Sequence, residues 1–302
     1  MRISIVISAH SGPAPVLSAL QSLASQSQSR NLEVVVANCC GVVAEQAIAR
    51  FYPGVKIINL PAETPITHSR DAAIQRASGD VIAVHNERYH APPNWAERIG
   101  QAHETETAEV IAGCIAPSAG LSNVQWAMFL SEYHHAFPPI PSGPLGRAAA
   151  LMIPGGNVSY KRAALQRVPM NGFLGENELH AALFDRGARF YCDGGLIAEF
   201  GCPYTVREYM VERSGVSRDW AFRRAAKLRP ISRLASAVSR IALPALIVKR
   251  VAAAVFMKRA YRGKFLLALP WIAAFAMVQA WGEIRGYLAR RAPGAVVEET
   301  AS

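Results

Sequence analysis

Gly79-Asp80-Val81-Ile82-Ala83-Val84-His85-Asn86-Glu87-Arg88-Tyr89-His90, closing with Pro92-Pro93-Asn94-Trp95, is the stretch on which the fold turns. Val81 to Val84 is a short apolar run of the length expected for a strand buried on both faces. Four polar residues follow at once: His85, Asn86, Glu87 and Arg88. Ligands of open α/β sheets bind outside the carboxyl ends of the strands. A carboxylate one step past such an end is therefore placed to hold a metal, a sugar or a phosphate. Pro92-Pro93-Asn94 then breaks the chain and starts a helix at Trp95, which fixes the loop between two rigid elements. Taken alone, the stretch reads equally well as a polar surface loop, so its surroundings decide.

Upstream, Ile3 to Ser8 reads as a strand and Ala9-His10-Ser11-Gly12-Pro13 as a turn. Val16, Leu17, Leu20, Leu23 and Ala24 recur at the spacing of one helix face. Leu32–Val36 and Val55–Leu60 read as further strands, Val42–Phe51 and Thr67–Ala77 as the helices between them. Strand and helix alternating over short links predict an α/β fold with a mostly parallel, doubly wound sheet. After the first strand stands His10-Ser11-Gly12-Pro13-Ala14-Pro15 rather than G-x-G-x-x-G, which argues against a nicotinamide or flavin enzyme.

The chain has 302 residues, of which 51% are hydrophobic and 18% charged, enough for a large core and slightly apolar for a soluble enzyme. The net charge of +10 is unevenly placed. Through residue 200 there are 14 Lys and Arg against 16 Asp and Glu; beyond it there are 18 against 6. These late cations are interleaved with apolar runs, which suits an anionic membrane surface rather than nucleic acid. Five cysteines without C-x-x-C spacing predict neither a zinc site nor a disulfide framework, and fit a reducing compartment. Ile3–Ile7 is too short for a signal-peptide core, so the first two thirds are expected to be cytoplasmic.

Four segments in order then resemble a family 2 glycosyltransferase of the GT-A fold, over roughly residues 1–225. Ser4-Ile5-Val6-Ile7-Ser8-Ala9-His10 is similar to the family's opening strand. Ser69-Arg70-Asp71-Ala72-Ala73-Ile74 with Ala77-Ser78-Gly79-Asp80 resembles its A-R-N-x-G-I … A-x-G-D segment. Val84-His85-Asn86-Glu87 falls where the family keeps its D-x-D or E-D carboxylates, and Pro93-Asn94-Trp95 resembles the following P-G-W. Further on, Gly155-Gly156-Asn157 through Leu165 resembles the acceptor-side G-x-N-x-x-x-R-R-x-x-L. Gly172-Phe173 and Gly175-Glu176-Asn177-Glu178-Leu179 resemble the segment carrying the catalytic base.

The resemblance implies a nucleotide-sugar donor and a divalent metal, Mg²⁺ or Mn²⁺. Glu176 takes the base position and Glu178 the neighbouring acid, Glu87 is the metal ligand, and Ser8, His10, Asn38, Arg70, Asp71 and Asn86 line the donor side. Gly156 and Asn157 fall on the acceptor side. It also implies a nucleotide-sugar half over 1–117, an acceptor half over 118–225 and a helical tail over 226–302. At the helix start, the Glu176 carboxylate is favoured by the macrodipole in any case. That same field would hold its pKa low, and repulsion from Glu178 with desolvation by a bound acceptor is expected to win in the ternary complex and raise it towards the working pH.

Departures from the family pattern accompany the matches. Ala37 stands where an Asp usually contacts the base of the nucleotide, and Asn86-Glu87 leaves one charged donor at the metal position. Glu199 lies near where a histidine is usual, and no Q-x-x-R-W occurs, which disfavours processive polymerisation. Tyr133-His134-His135 reads as packing, and Pro138–Pro144 as either a lid or a rigid loop. In the tail, Ile241–Met257 is interrupted by Lys249-Arg250 and suits an interfacial segment. Phe265–Gly282 is uncharged and just long enough to cross a bilayer.

The chain is thus expected to be an inverting, non-processive enzyme that moves one sugar to a lipid or glycan acceptor. It would work at the cytoplasmic face of the inner membrane, with an anionic membrane surface as partner and no nucleic acid. The alternative is a non-catalytic membrane scaffold or binding protein that keeps the fold with a degenerate donor site.

Overall fold

Alternation in the first hundred residues produces β1 (Ile3–Ala9), α1 (Pro13–Ala24), β2 (Leu32–Asn38), α2 (Val42–Phe51), β3 (Lys56–Asn59), α3 (Ile66–Arg76) and β4 (Val81–His85). Then come β5 (Tyr89–His90), α4 (Trp95–Thr105), β6 (Val110–Pro117), α5 (Asn123–Tyr133), β7 (Gly143–Leu145) and α6 (Arg147–Ala150). The chain continues with β8 (Asn157–Lys161), α7 (Arg162–Leu165), α8 (Glu176–Asp185) and β9 (Phe190–Phe200). It ends with α9 (Val206–Ala225), α10 (Pro230–Ser239), a 3-10 turn (Arg240–Ala242), α11 (Leu243–Met257) and α12 (Arg262–Leu288). The structure, a computed structural model, describes residues 1–24, 26, 32–169, 175–201 and 204–289. Gly172, Phe173 and Cys202 lie outside them, as does the chain from 290 on.

Two compact units emerge, Met1–Ala119 with His135–Cys202, and Gly120–His134 with Pro203–Ser302. The boundary therefore differs from the one expected near residue 225. The charged faces of α5 and α9 carry the reason, since Arg213 pairs with Glu132 and donates to Gln279 of α12.

In the first unit the strands run β3-β2-β1-β4-β8-β6-β9-β5, with β7 beside β9. The four strands read from the sequence are mutually parallel, and β8 enters antiparallel between β4 and β6. The chain steps outward from β1 to β3 and returns to β4 on the other side of β1. That reversal opens a crevice beyond the carboxyl ends of β1 and β4. Successive side chains alternate across the sheet: Ile5 and Ile7 join Leu20, Trp95 and Ile99 on one face, while Val6, Ile82 and Val84 join Ile74 and Leu183 on the other.

Several motif residues turn out to hold this sheet together. A Cβ on Gly79 would lie 2.7 Å from the Ser4 nitrogen, so only glycine lets the chain pass there. Asp80 accepts from the Arg2 amide at 2.8 Å, and Arg162 donates to the Gly79 and Ala77 carbonyls at 2.7 Å each. Glu33 ties three strands and the turn before β4, accepting from Ser4, Lys56 and Ser78. Burial alone would raise its pKa, but these donors bring it down to about 2.

Asn157 does the equivalent at the centre of the sheet. The β6–β9 register shifts between Ala112 and Cys114, and the fully buried Asn157 amide fills the irregularity. It donates to the Cys114 and Leu196 carbonyls at 2.8 and 3.0 Å and accepts from the Trp95 indole at 2.9 Å. Gly113 leaves the space it occupies. Asn157 is thus satisfied on every side and does not face an acceptor, contrary to expectation. The Pro-rich stretch is also held down rather than free to act as a lid: Ser142 accepts from Gly194 at 3.0 Å, and β7 pairs with β9.

In the second unit α12 lies along α9, with α5, α10 and α11 packed on it. Gly282 and Gly286 face the Ser214 and Arg218 carbonyls, where a Cβ would collide.

Asn157→Ala is expected to lower stability by about 3 kcal/mol or more, because it removes three buried hydrogen bonds at once, to the Cys114 and Leu196 carbonyls and from the Trp95 indole N–H. Urea unfolding of the full chain measures this. A loss below about 1 kcal/mol would remove Asn157 as the organiser of the sheet.

Candidate active site

Three elements meet at the crevice: the loop after β1, the loop after β4 and the first turn of α8. Glu87, only 6% exposed, turns back towards β1. Its carboxylate accepts from the His10 amide at 3.1–3.2 Å, the Ser11 amide at 3.4 Å and the Ser11 hydroxyl at 2.7 Å. Burial nonetheless raises its pKa above the ordinary carboxylate value. The Asn86 side-chain oxygen accepts from the Arg88 amide at 2.9 Å, closing an Asx turn, and the Asn86 amide donates to the Gly156 carbonyl at 3.3 Å. His10 bonds to Ser69 at 2.8 Å, and burial with the nearby Arg70 charge lowers its pKa below the ordinary imidazole value.

Opposite, the Glu176 carboxylate lies directly against Gly155, where a Cβ would collide with it. A Cβ on the neighbouring Gly156 would fall 2.6 Å from the Tyr89 ring and 2.8 Å from the Asn86 Cβ. The glycine pair therefore brings base candidate, donor loop and β8 within contact distance, which larger residues would prevent. Glu176 pairs with Arg70 of α3, the two side chains being 30% and 13% exposed. Arg70 holds the Glu176 carboxyl below its ordinary range, outweighing the desolvation that acts against it. In the free protein Arg70 thus dominates its field, a partner the sequence did not disclose, whereas the rise expected above concerns the substrate-bound state. Glu178, two residues on, is exposed. Asp71, next to Arg70, is pushed up to about 6 by burial, with His68 and Arg70 opposing.

Behind Glu176, His180 is one helical turn along α8 and fully buried, 2.7 Å from the Tyr160 hydroxyl. Burial holds the imidazole neutral with a pKa of about 4, although the Glu176 charge works the other way. This pair was not anticipated; the i, i+4 spacing of Glu176 and His180 was its only sequence signal. Asn38, expected at the donor, is 1% exposed and consumed locally. It donates to Gly41 at 3.0 Å and Asn59 at 2.9 Å and accepts from the Cys40 amide at 3.0 Å. The Ser8 hydroxyl is buried at the end of β1 without a partner among the described residues.

The model of the family described as "Glycosyl transferase family 2" matches residues 4–168, more than half of the chain. The chain belongs to that family. Being a family 2 glycosyl transferase, it is a glycosyltransferase by class, and the α/β fold read from the sequence is the GT-A-like one. Among solved structures it is similar to a mannosyltransferase of Pyrobaculum calidifontis, PcManGT, in complex with GDP-Man and Mn²⁺. The two share 16% identity at a TM-score of 0.55, covering 94% of this chain and 87% of the other. S. aureus TarS (residues 1–349) is similar at 13% identity and TM-score 0.54, covering 94% and 90%. TarS has also been solved with UDP-GlcNAc, at 12% identity and TM-score 0.52. No curated protein sequence matches the chain.

Family membership raises the question of a metal. Both Glu87 oxygens are already engaged by the β1 loop, the Asn86 oxygen by its own turn. No group of three His, Cys, Asp or Glu among the described residues is arranged to hold an ion. This donor set does not fit a divalent cation, and the assignment of Glu87 as principal ligand is corrected to that of a clamp on the β1 loop.

Two expectations follow. Arg70→Met and Glu176→Gln, alone and together, should give a coupling of about 1–3 kcal/mol in unfolding free energy at neutral pH. Because pairing lowers the folded-state pKa below the ordinary 4.5, the coupling persists above that value and fades as acid protonates Glu176. A coupling unchanged on acidification would contradict the pair. For Glu87→Gln, nucleotide titrations with and without Mn²⁺ should show the same metal dependence as the parent protein; its disappearance would restore Glu87 as a ligand.

Proposed function

We propose that the protein is an inverting glycosyltransferase that moves a single sugar from a nucleotide-sugar to a lipid or glycan acceptor at the cytoplasmic face of the inner membrane. The observation that carries this reading is Glu176 seated on the Gly155–Gly156 pair beside Arg70. There the acceptor hydroxyl oxygen forms its bond to the anomeric carbon as the bond to the diphosphate oxygen breaks. The hydroxyl proton passes to Glu176, and the nucleoside diphosphate leaves with the bonding pair.

An arginine-bound carboxylate is a weak base, and the arrangement supplies a remedy. The donor's diphosphate is the stronger partner for Arg70, since it offers more charge and more acceptor oxygens. Drawing Arg70 away leaves Glu176 desolvated, which raises its proton affinity at the moment a base is needed. Asp71 and His10 would lie alongside the donor, and the neutral His180–Tyr160 pair would fix the turn that carries Glu176.

Asn38 favours a second reading, a binding protein with a degenerate donor site, because its amide is closed off where the family's nucleotide contact belongs. Purified full-length protein incubated with a panel of nucleotide-sugars separates the two. Transfer or slow donor hydrolysis, with thermal stabilisation by at least one donor, is the expected result; stabilisation without turnover by any donor would leave the binding protein. In the active enzyme Glu176→Gln should lower turnover about 10²–10⁴-fold with little change in donor affinity. Glu178→Gln should change it little. If the two effects were exchanged, Glu178 would be the base.

A further inference from the structure

Helix α10 is packed with its polarity reversed. Its arginine faces the protein: Arg233 donates to the Tyr287 and Ala289 carbonyls at the end of α12, at 3.2 and 2.5 Å. Arg240, in the turn that follows, donates to the buried Glu283 at 3.2 Å, and Ala237 is buried between them. The large apolar residues point the other way. Ile231, Leu234, Val238 and Ile241 are 84%, 58%, 58% and 73% exposed, and their spacing of three, four and three places them on one face. In a soluble helix the apolar stripe faces the core, so four branched aliphatic side chains in a row towards solvent call for a cover.

Charge selects the cover. Arg223, Arg224, Lys227 and Arg229 precede the ridge and are exposed, as are Lys249 and Arg250 after it. From residue 201 on there are 18 Lys and Arg against 6 Asp and Glu. An apolar ridge flanked by cations is the pattern of a helix lying in a bilayer interface, with each nearby Lys or Arg adding about 1 kcal/mol on an anionic surface. A second copy of this chain would bring an equal surplus of positive charge to the same contact.

The packing of α12 argues against a crossing. Among the described residues it is the one helix long and apolar enough to span. Its inner face, however, lies along α9, which bears Arg207, Glu208, Glu212, Arg213, Arg218 and Asp219. Inserting α12 would draw those charges with it, and each costs about 2.5–3.5 kcal/mol at the centre of a bilayer.

We infer that α10 and the turn after it form an in-plane docking ridge for an anionic lipid surface, with Ile231, Leu234, Val238 and Ile241 immersed. This goes beyond the transferase reading and does not depend on it.

The test is sedimentation of the full-length protein with phosphatidylcholine vesicles that contain or lack phosphatidylglycerol. The parent should bind the anionic vesicles, release in high salt, and bind the zwitterionic ones weakly. Ile231→Glu/Leu234→Glu/Val238→Glu should weaken anionic binding by about a hundredfold, as expected for withdrawing three aliphatic side chains from the interface. Its circular dichroism and melting temperature should match the parent, since all three positions are exposed. Parent-like binding by this variant would overturn the proposal. So would resistance of the membrane-bound parent to alkaline carbonate, which marks a spanning helix, or a dimer that the same substitutions dissociate.

Discussion

Everything that places the candidate site depends on one amide. Where β6 and β9 slip out of register, the Asn157 side chain donates to a carbonyl of each strand and takes the Trp95 indole N–H. Burying such groups unpaired costs more than an ordinary hydrogen bond returns, so this contact fixes β8 to a single register. Gly155 and Gly156 immediately precede that residue. Their position follows from it, and with it the seat on which Glu176 rests.

The site built on this frame is a balance of two fields. Arg70 stabilises the Glu176 carboxylate, and burial opposes it. In the free protein the arginine wins, which keeps a half-buried acid ionised and ordered but deprives it of basicity. A substrate phosphate that competes for the arginine reverses the outcome without any large movement of the backbone. The Glu87 carboxylate shows the complementary arrangement: several N–H and O–H donors hold it, with the Arg88 charge contributing less, so it serves as a clamp on the loop after β1.

How far the sequence disclosed this varied with the kind of signal. Strands β1 to β4 were legible because each is a short apolar run between helices of plain periodicity. The insertion of β8 between β4 and β6 was not, because strands buried on both faces look alike whichever way they run. Motif spacing located Arg70, Glu87, Gly155, Gly156 and Glu176 at one end of the sheet. It did not distinguish residues that meet a substrate from residues that meet the protein: Gly79, Asn157 and Arg162 prove to be steric and hydrogen-bonding fixtures. Asn38 was missed as such because its partner Asn59 is distant in sequence. The ridge on α10 escaped notice since Arg233 and, in the turn after it, Arg240 broke the apolar pattern, and only the packing shows that they face inward.

The central claim is that Arg70 is shared between Glu176 and the donor's diphosphate. The direct measurement is the titration of the Glu176 side-chain carboxyl by carbon NMR, in the free protein and saturated with a nucleoside diphosphate, assigned by comparison with Glu176→Gln. The account predicts a value below the ordinary 4.5 in the free protein and a higher one with nucleotide bound. A value that stays put or falls on binding would contradict it.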